Sequence, residues 1–536
     1  MKFRYTGLLV VLLAAMIGGC KGTDTDEFND PYEGGKAGLG IVVNQQQVPV
    51  PAEGLAGTEV RIKAAGLEAH HKTGSLQFLF NGEKAEIKAV DAEGITAIVP
   101  GRASSGITSF VVGGQVVFGP DFTVLGKVKK DFTYKVVNGT DNVIYRAIGV
   151  ASGNVLLLGD FTDFDNKGLV RRINRIVRTF PDGTYDRSLA SGLGANGALY
   201  DMAVVNSNWF IGGRFSGYAQ RDGLSNITKL SSQGQIDTVA AETYEHKTKY
   251  VSTFNGGTNG TILNVYPSNG KVIIAGNFSY YLSRRYDQPS YQYKDSVVID
   301  SVDVRSLARL NVDGSLDKTW RFDPNAPGYK GQLGKSLPGP NGNIESLMHT
   351  DGKILVWGQF TKFDDASMGY ITRLNPDGSI DQSFNPGKAG ADDYIFHVSY
   401  NAVLNKYLAV GRFKKFNGEA ANYMVLLNYD GSVDKSFTAK TFEGDIPVYC
   451  KLLNDGLGVI SGGFKSYDGA ARNGFLITDL TGGMAPGYNT IGNLSGQLYD
   501  VYETKSADDK RALLLVGIFY LFDNQITNNI VRVTLD

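Results

Sequence analysis

The sequence predicts an all-β protein: a small β-sandwich followed by a seven-bladed β-propeller. Three observations predict it. The 536 residues include 67 glycines, 28 tyrosines and 28 phenylalanines, a mixture suited to many short strands joined by turns. Long apolar periodicity at helical spacing is absent. From about residue 130 onward one strand recurs, an apolar run ending in Gly-x-Phe, and a repeat of this kind sets the architecture. The length allows two or more domains with sizeable cores. Charge nearly cancels, with 53 basic against 54 acidic residues, so nothing in the balance points to a nucleic-acid partner.

Residues 1–19 read as a secretory signal. Lys2 and Arg4 precede a ten-residue apolar run, Leu8–Ile17, too short to span a bilayer comfortably. The run ends in Ile17-Gly18-Gly19-Cys20, which resembles the bacterial lipobox. That resemblance implies lipidation of Cys20, which becomes the first mature residue, and anchoring through lipid alone. Residues 20–37 are polar, acidic and glycine-bearing, as expected of a flexible tether. Their acidic start resembles the export signal of Bacteroidetes surface lipoproteins, which implies the outer face of the outer membrane.

Residues 38–126 form one unit of short strands. Val60 and Ile62 alternate with Glu59, Arg61 and Lys63, and Asn81-Gly82 marks a tight hairpin. Gly57-Thr58, "FNGEKA" (80–85), "IVPG" (98–101) and "FTVL" (122–125) resemble an IPT/TIG domain, implying an immunoglobulin-like sandwich that acts as a spacer or partner-binding module and carries no catalytic residues. His70 and His71 are expected in a solvated loop.

Residues 130–536 carry the repeat. Its glycines are Gly159, Gly213, Gly276, Gly358, Gly411, Gly462 and Gly517, at gaps of 54, 63, 82, 53, 51 and 55 residues. In "KILVWGQF" Ile354, Val356 and Phe360 share one face with Gly358, and Leu355 and Trp357 share the other. Apolar residues on both faces mean burial on both faces, which one thin sheet cannot provide and seven radial sheets can. The glycine is expected to admit the next sheet's backbone, with the phenylalanine filling the gap beside it.

A turn follows most copies, as in "RLNPDGSIDQSFNPG". Asp182, Asp313, Asp377 and Asp430 each precede a glycine, and the pair predicts a type I′ hairpin corner. Asp186, Asp317, Asp381 and Asp434, four residues on, are expected to bind N–H groups of the turn. Calcium is the alternative, since Asp163, Asp165 and Gly168 make a partial loop, but the full spacing is missing; no metal or cofactor is expected. The seventh copy lacks its last strand, and "KKDFTYKVVNGTDN" resembles "DQSFNPGKAGADD", so Lys130–Phe132 is expected to supply it and close the ring. "DGKILVWGQFTKF…RLNPDGSIDQSFNPG" resembles the delta-60 repeat, over about 400 residues. A lipobox, a TIG-like unit and such repeats together resemble Bacteroidetes surface lipoproteins that accompany SusC/SusD-type importers, which implies an importer partner and an extracellular glycan or peptide as ligand.

No catalytic constellation stands out. The five histidines, His70, His71, His246, His349 and His397, show no HExxH or tight metal spacing, and no nucleophile elbow appears. Cys450 sits in an apolar strand and reads as a buried thiol. Two sets of residues are candidates for binding. The 82-residue gap holds an insertion, 279–304, with Tyr280, Tyr281, Arg284, Arg285, Tyr286, Tyr291 and Tyr293, whose rings suit stacking on a sugar or gripping a peptide. The alternative is an extended hairpin whose tyrosines pack on the blade beneath. The residue between Gly and Phe is polar in five copies, Asp160, Arg214, Asn277, Gln359 and Arg412, and makes a polar ring if it faces the channel mouth. The reading is a nutrient-binding surface protein and not an enzyme; a scaffold that binds the importer alone and a surface hydrolase or lyase are the alternatives.

Overall fold

A computed structural model describes residues 38–243, 247–289, 297–328, 331–387 and 389–535. Residues 38–126 form a sandwich of two sheets, one of three strands and one of five. Val60, Ile62, Phe78, Phe80, Ile95 and Phe110 fill the space between them. Asn81 (φ 43°) and Gly82 (φ 88°) make the type I′ corner the sequence predicts. His70 and His71 lie on a short helix, Glu68–Lys72, instead of a loop, and His70 Nε2 lies 2.9 Å from the carbonyl of Leu39.

Among the described residues seven blade sheets follow, each opening on an inner strand, then the Gly-x-Phe strand, then a third, with small two- and three-stranded sheets beside them. In the fourth sheet these are Ile344–Met348, Ile354–Gly358 and Ile371–Leu374. Between neighbouring sheets lies one apolar core. Ile354, Val356 and Phe360 enter the core shared with the third blade, while Leu355 and Trp357 enter the core shared with the fifth. The first blade faces the seventh through Leu157, Val177, Leu514 and Val516, so the ring is closed. Fully burying one such side chain contributes roughly 1.5–3 kcal/mol, and each second strand does so in two directions.

The third strand leads into the Asp-Gly turn, and the fourth strand is reduced to single bridges such as Leu374↔Ile380. The turn is not type I′. Gly378 has φ +87° and Asp377 does not adopt a positive φ; the amide of Gly378 donates to Asn375 O at 2.9 Å. This is a type I turn relieved by one left-handed glycine, with Asp377 accepting the Ser379 N–H and hydroxyl. Asp381 accepts a backbone N–H as expected, that of Ser383 just beyond the turn, and does more. One of its oxygens caps Ser383, and the other accepts from Arg373 and Lys353 at 2.8 Å. Arg178–Asp186 and Arg309–Asp317 repeat the pair at 2.7 Å. Burial opposes ionisation of Asp381, but Lys353, Ser383 and Arg373 together hold its carboxyl well below the usual range.

The clasp forms two residues earlier than expected. Val128–Lys130, not Lys130–Phe132, pairs with Ile530–Leu535 as the fourth strand of the last blade, in the register Val533↔Lys130 and Leu535↔Val128. The shift has a cause in Asp131. It takes the place Asp381 holds in the fourth blade, capping Thr133 and meeting Arg532 at 2.5 Å. Arg532 lies over the Tyr134 ring at 4.7 Å, and both charged side chains are buried. Replacing Asp131 by Asn leaves a buried guanidinium without its counter-charge, which costs about 3–5 kcal/mol. Urea unfolding of the D131N protein measures this loss; a loss under about 1 kcal/mol would show that the clasp does not depend on the pair.

Candidate functional site

The repeat's glycine is explained by its own sheet. In six blades the register between inner and second strand slips by one residue beside it: Ile144↔Gly159 is followed by Arg146↔Leu158, and Leu199↔Gly213 by Asp201↔Gly212. A Cβ on Gly213 would stand 2.1 Å from the carbonyl oxygen of Ala198, and one on Gly411 2.2 Å from that of Tyr394. The close approach thus comes from the inner strand of the same blade, not from the next sheet. The skipped residues are Tyr145, Tyr200, Leu263, Phe396, Val448 and Tyr499. A bulge re-aims its side chain, and on the innermost strand of a propeller the free direction is the central channel. The fourth blade has no slip and offers Glu345.

Two adjoining cavities occupy the channel, of about 190 and 210 Å3. Arg146, Asn264, Glu345, His397 and Tyr449 line both. At the rim the Tyr145 ring lies 4.5 Å from Tyr200 and 5.2 Å, edge-on, from Tyr499. Below it Arg146 Nε is 3.4 Å from Asp201 Oδ1. The carboxyls of Asp201 and Asp500 are fixed by the amides of Val265 and Ala147, so the second and seventh blades each orient a carboxyl with the next blade's backbone. Ser346 donates to Asn264 Oδ1 at 3.0 Å, and the His397 ring lies 4.6 Å from Tyr449.

Burial raises the Glu345 carboxyl to about 7, with Arg146 opposing and Asp201 assisting. Asp201 and Asp500 raise Arg146 against its own desolvation, so it stays charged. Burial, with Arg146 nearby, lowers His397 to about 4, leaving it neutral near pH 7. The channel therefore presents aromatic faces above the Arg146 guanidinium, with Lys451, the Asp500 carboxyl and one acid that changes charge near neutrality beside it. That set can stack on a flat apolar face and hydrogen-bond hydroxyl, amide or charged groups beneath it. Among the described residues no three His, Cys, Asp or Glu side chains are grouped to hold a metal ion.

Cys20, Tyr291 and Tyr293 lie outside the described residues. The insertion is an extended hairpin, Tyr280–Pro289 with Val297–Asp303. Tyr281 is buried and donates its hydroxyl to Gly314 O, as Tyr218 does to Gly234 O and Tyr467 to Gly482 O. Its ring anchors the hairpin. Arg284 reaches back to Ser225 at 2.9 Å, joining the hairpin to the second blade, and Arg285 faces Asp300 at 3.4 Å. Tyr280 and Tyr286 are half-buried. The polar positions are tied to their surroundings: Asp160 to Arg175 at 3.2 Å, Asn277 to the Ile344 amide, Gln359 to Asn343 and Arg412 to Asp393 at 3.8 Å. Asp160 acts on Tyr145 and Tyr200, and Arg214 on Tyr200, so these two border the channel rim. Cys450 is buried, as the sequence predicts, and His349 packs against Tyr400, Tyr407 and Tyr429. The channel residues went unmarked in the sequence, although triplets such as Ile144-Tyr145-Arg146, Leu199-Tyr200-Asp201 and Leu498-Tyr499-Asp500 precede the glycines.

A family profile described as "Domain of unknown function (DUF5122) beta-propeller" matches residues 349–384 and 405–437, in the fourth and fifth blades. One described as "Domain of unknown function (DUF5008)" matches residues 17–120. No curated protein matches the chain. Among solved structures the chain is similar to the WD40 beta propeller domain of Doa1, at 11% identity over 76% of this chain and 96% of that one, with a TM-score of 0.40. It is also similar to an auxiliary nutrient binding protein from Bacteroides ovatus ATCC 8483, at 12% identity over 92% and 99%, with a TM-score of 0.30. Another, from Bacteroides thetaiotaomicron VPI-5482, is 9% identical over 92% and 98%, with a TM-score of 0.33.

An acid whose folded pKa is raised above its ordinary 4.5, to about 7, is neutral in the fold while the unfolded chain ionises. Its burial therefore weakens the fold progressively as pH rises from about 4.5 to 7, and fully above that. Glu345→Gln should raise stability at pH 8 by about 1–2 kcal/mol and leave it unchanged at pH 4. Thermal unfolding at the two pH values checks this; an equal effect at both would place Glu345 outside the electrostatics of the channel.

Proposed function

We propose that the chain is a lipid-anchored surface protein that binds an extracellular nutrient, a glycan or a peptide, in its propeller channel and serves a SusC/SusD-type importer. One observation carries the binding reading: all seven inner strands contribute a residue to one cavity, with tyrosines at its rim and Arg146 and Glu345 below, and Asp500 lines the cavity that adjoins it. The small cavities suit one sugar ring or one chain terminus, entering end-on from the tyrosine rim. Anchoring at the membrane rests on the lipobox ending at Cys20, and the sandwich would act as the spacer. In this reading the channel binds and does not catalyse, handing its ligand on unchanged.

Glycan and peptide libraries displayed to the full chain test it. A retained ligand should bind Tyr145→Ala or Tyr200→Ala about three- to tenfold more weakly, the loss of one stacked ring, while the unfolding midpoint stays put. Tyr280→Ala and Tyr286→Ala should bind as the parent does. An importer that co-purifies while no glycan or peptide is retained would make the protein a scaffold, and release of a cleaved product would make it an enzyme.

A further inference from the structure

A separate cavity, of about 820 Å3, lies where the sandwich docks on the sixth and seventh blades. The two units are joined there by hydrogen bonds. The Ser105 amide and hydroxyl donate to Thr490 O at 2.8 and 3.0 Å, the Lys127 amide donates to Gly487 O at 2.8 Å, and Asn524 Nδ2 donates to Ser105 O at 3.1 Å. The walls therefore come from both units and hold a fixed shape. Leu55, Pro100, Val124 and Met484 make much of the lining apolar. Its charged members are Arg102, Lys127, Lys129 and Arg472 against Asp468, an excess of cations that draws in anions.

Arg472 is the unusual member. It is 4% exposed. Its two terminal nitrogens donate to main-chain carbonyls, those of Ala471 and Arg102. Its Nε, like the hydroxyl of Thr490 in the same wall, has no hydrogen-bond partner among the described residues. Elsewhere in the propeller a buried arginine meets an aspartate, as Arg178, Arg373 and Arg532 do. Burial, with Arg102 adding to it and Glu83 opposing, pulls the Arg472 guanidinium down to about 10. A buried guanidinium without a counter-ion is costly, and the cavity beside it has room for one.

We propose that this cavity is a binding site for a small carboxylate with a hydrocarbon body, its carboxylate turned to Arg472 and its apolar part against Leu55, Pro100, Val124 and Met484. A volume of about 820 Å3 falls in the range of small-molecule sites. The site shares no lining residue with the channel and stands independently of the function proposed above.

The test titrates the full chain with 8-anilinonaphthalene-1-sulfonate, an apolar anion that fluoresces when bound, and displaces it with decanoate or decanol. One saturable site is expected, with decanoate displacing the dye at about tenfold lower concentration than decanol, as a hydrogen-bonded charge contributes. Arg472→Met should abolish that preference. Gly101 lines the cavity, and a Cβ added there meets nothing within 4 Å, so Gly101→Phe should fill the space in a folded protein and remove dye binding even if Arg472→Met does not fold. Tyr145→Ala should change neither result. Equal displacement by decanol, dye binding that survives Gly101→Phe, or loss of dye binding in Tyr145→Ala, which would put the dye in the channel, each overturns the proposal.

Discussion

A carbonyl oxygen of each inner strand stands where the Cβ of the second strand would be, and the architecture follows from that. With glycine at that point the inner strand can take an extra residue and slip its register, as at Gly159, Gly213 and Gly411. Any side chain there would have to displace backbone, since the atom in the way is Ala198 O or Tyr394 O and not the end of a mobile side chain. The slip has two results. It increases local strand twist, which suits sheets set at an angle around an axis. It also takes one residue per blade out of the ladder and turns it to the channel. The same glycine therefore underlies both the radial packing and the chemistry of the axis.

The ring is held by cores between sheets, because a three-stranded sheet has two faces to cover and no helices to cover them. Strands such as Ile354–Gly358 and Val155–Gly159 are buried along their whole length, each face in a different core. Such packing is cooperative around a circle and fails at any seam. The Asp131–Arg532 pair sits at the one place where the chain's own continuity cannot hold neighbouring strands together, and it joins residues 401 positions apart. Arg178–Asp186 and Arg373–Asp381 make the same bond over eight residues. The seam is thus closed with the device used inside each repeat, on chain contributed from the other end.

What the sequence allowed to be read follows this division. Facing of side chains along one strand depends on that strand alone, so the two-sided burial of Ile354–Trp357 could be taken from residue types. The borrowed strand could be taken from likeness to a neighbouring copy, and its two-residue error reflects pairing that no single segment encodes. Register between strands was not legible. Tyr145 and Tyr200 look like ordinary alternating strand residues until the slip beside Gly159 and Gly213 is known. Tyr281 shows the complementary case: a tyrosine-rich insertion suggests recognition, and its ring also repeats the structural contact of Tyr218 and Tyr467, which lie in copies without an insertion. The Asp-Gly dipeptide misled because its meaning depends on turn length. With Asn375 and Pro376 included in the turn, one positive φ is enough.

The channel draws its character from the one blade that breaks the pattern. The six bulged blades turn only aromatic or aliphatic residues to the axis at this position. The fourth blade keeps its ladder in register, Glu345 opposite Trp357, and so places an acid where the others place Tyr145, Phe396 or Val448. Arg146 and Asp201 act on that acid from the first and second blades. A field running across the axis results, with Arg146 held on one side by Asp201 and Asp500 and Glu345 poised to ionise on the other. A ligand whose polar groups are arranged unequally around it would then seat in one rotation about the axis, which a symmetric ring could not enforce.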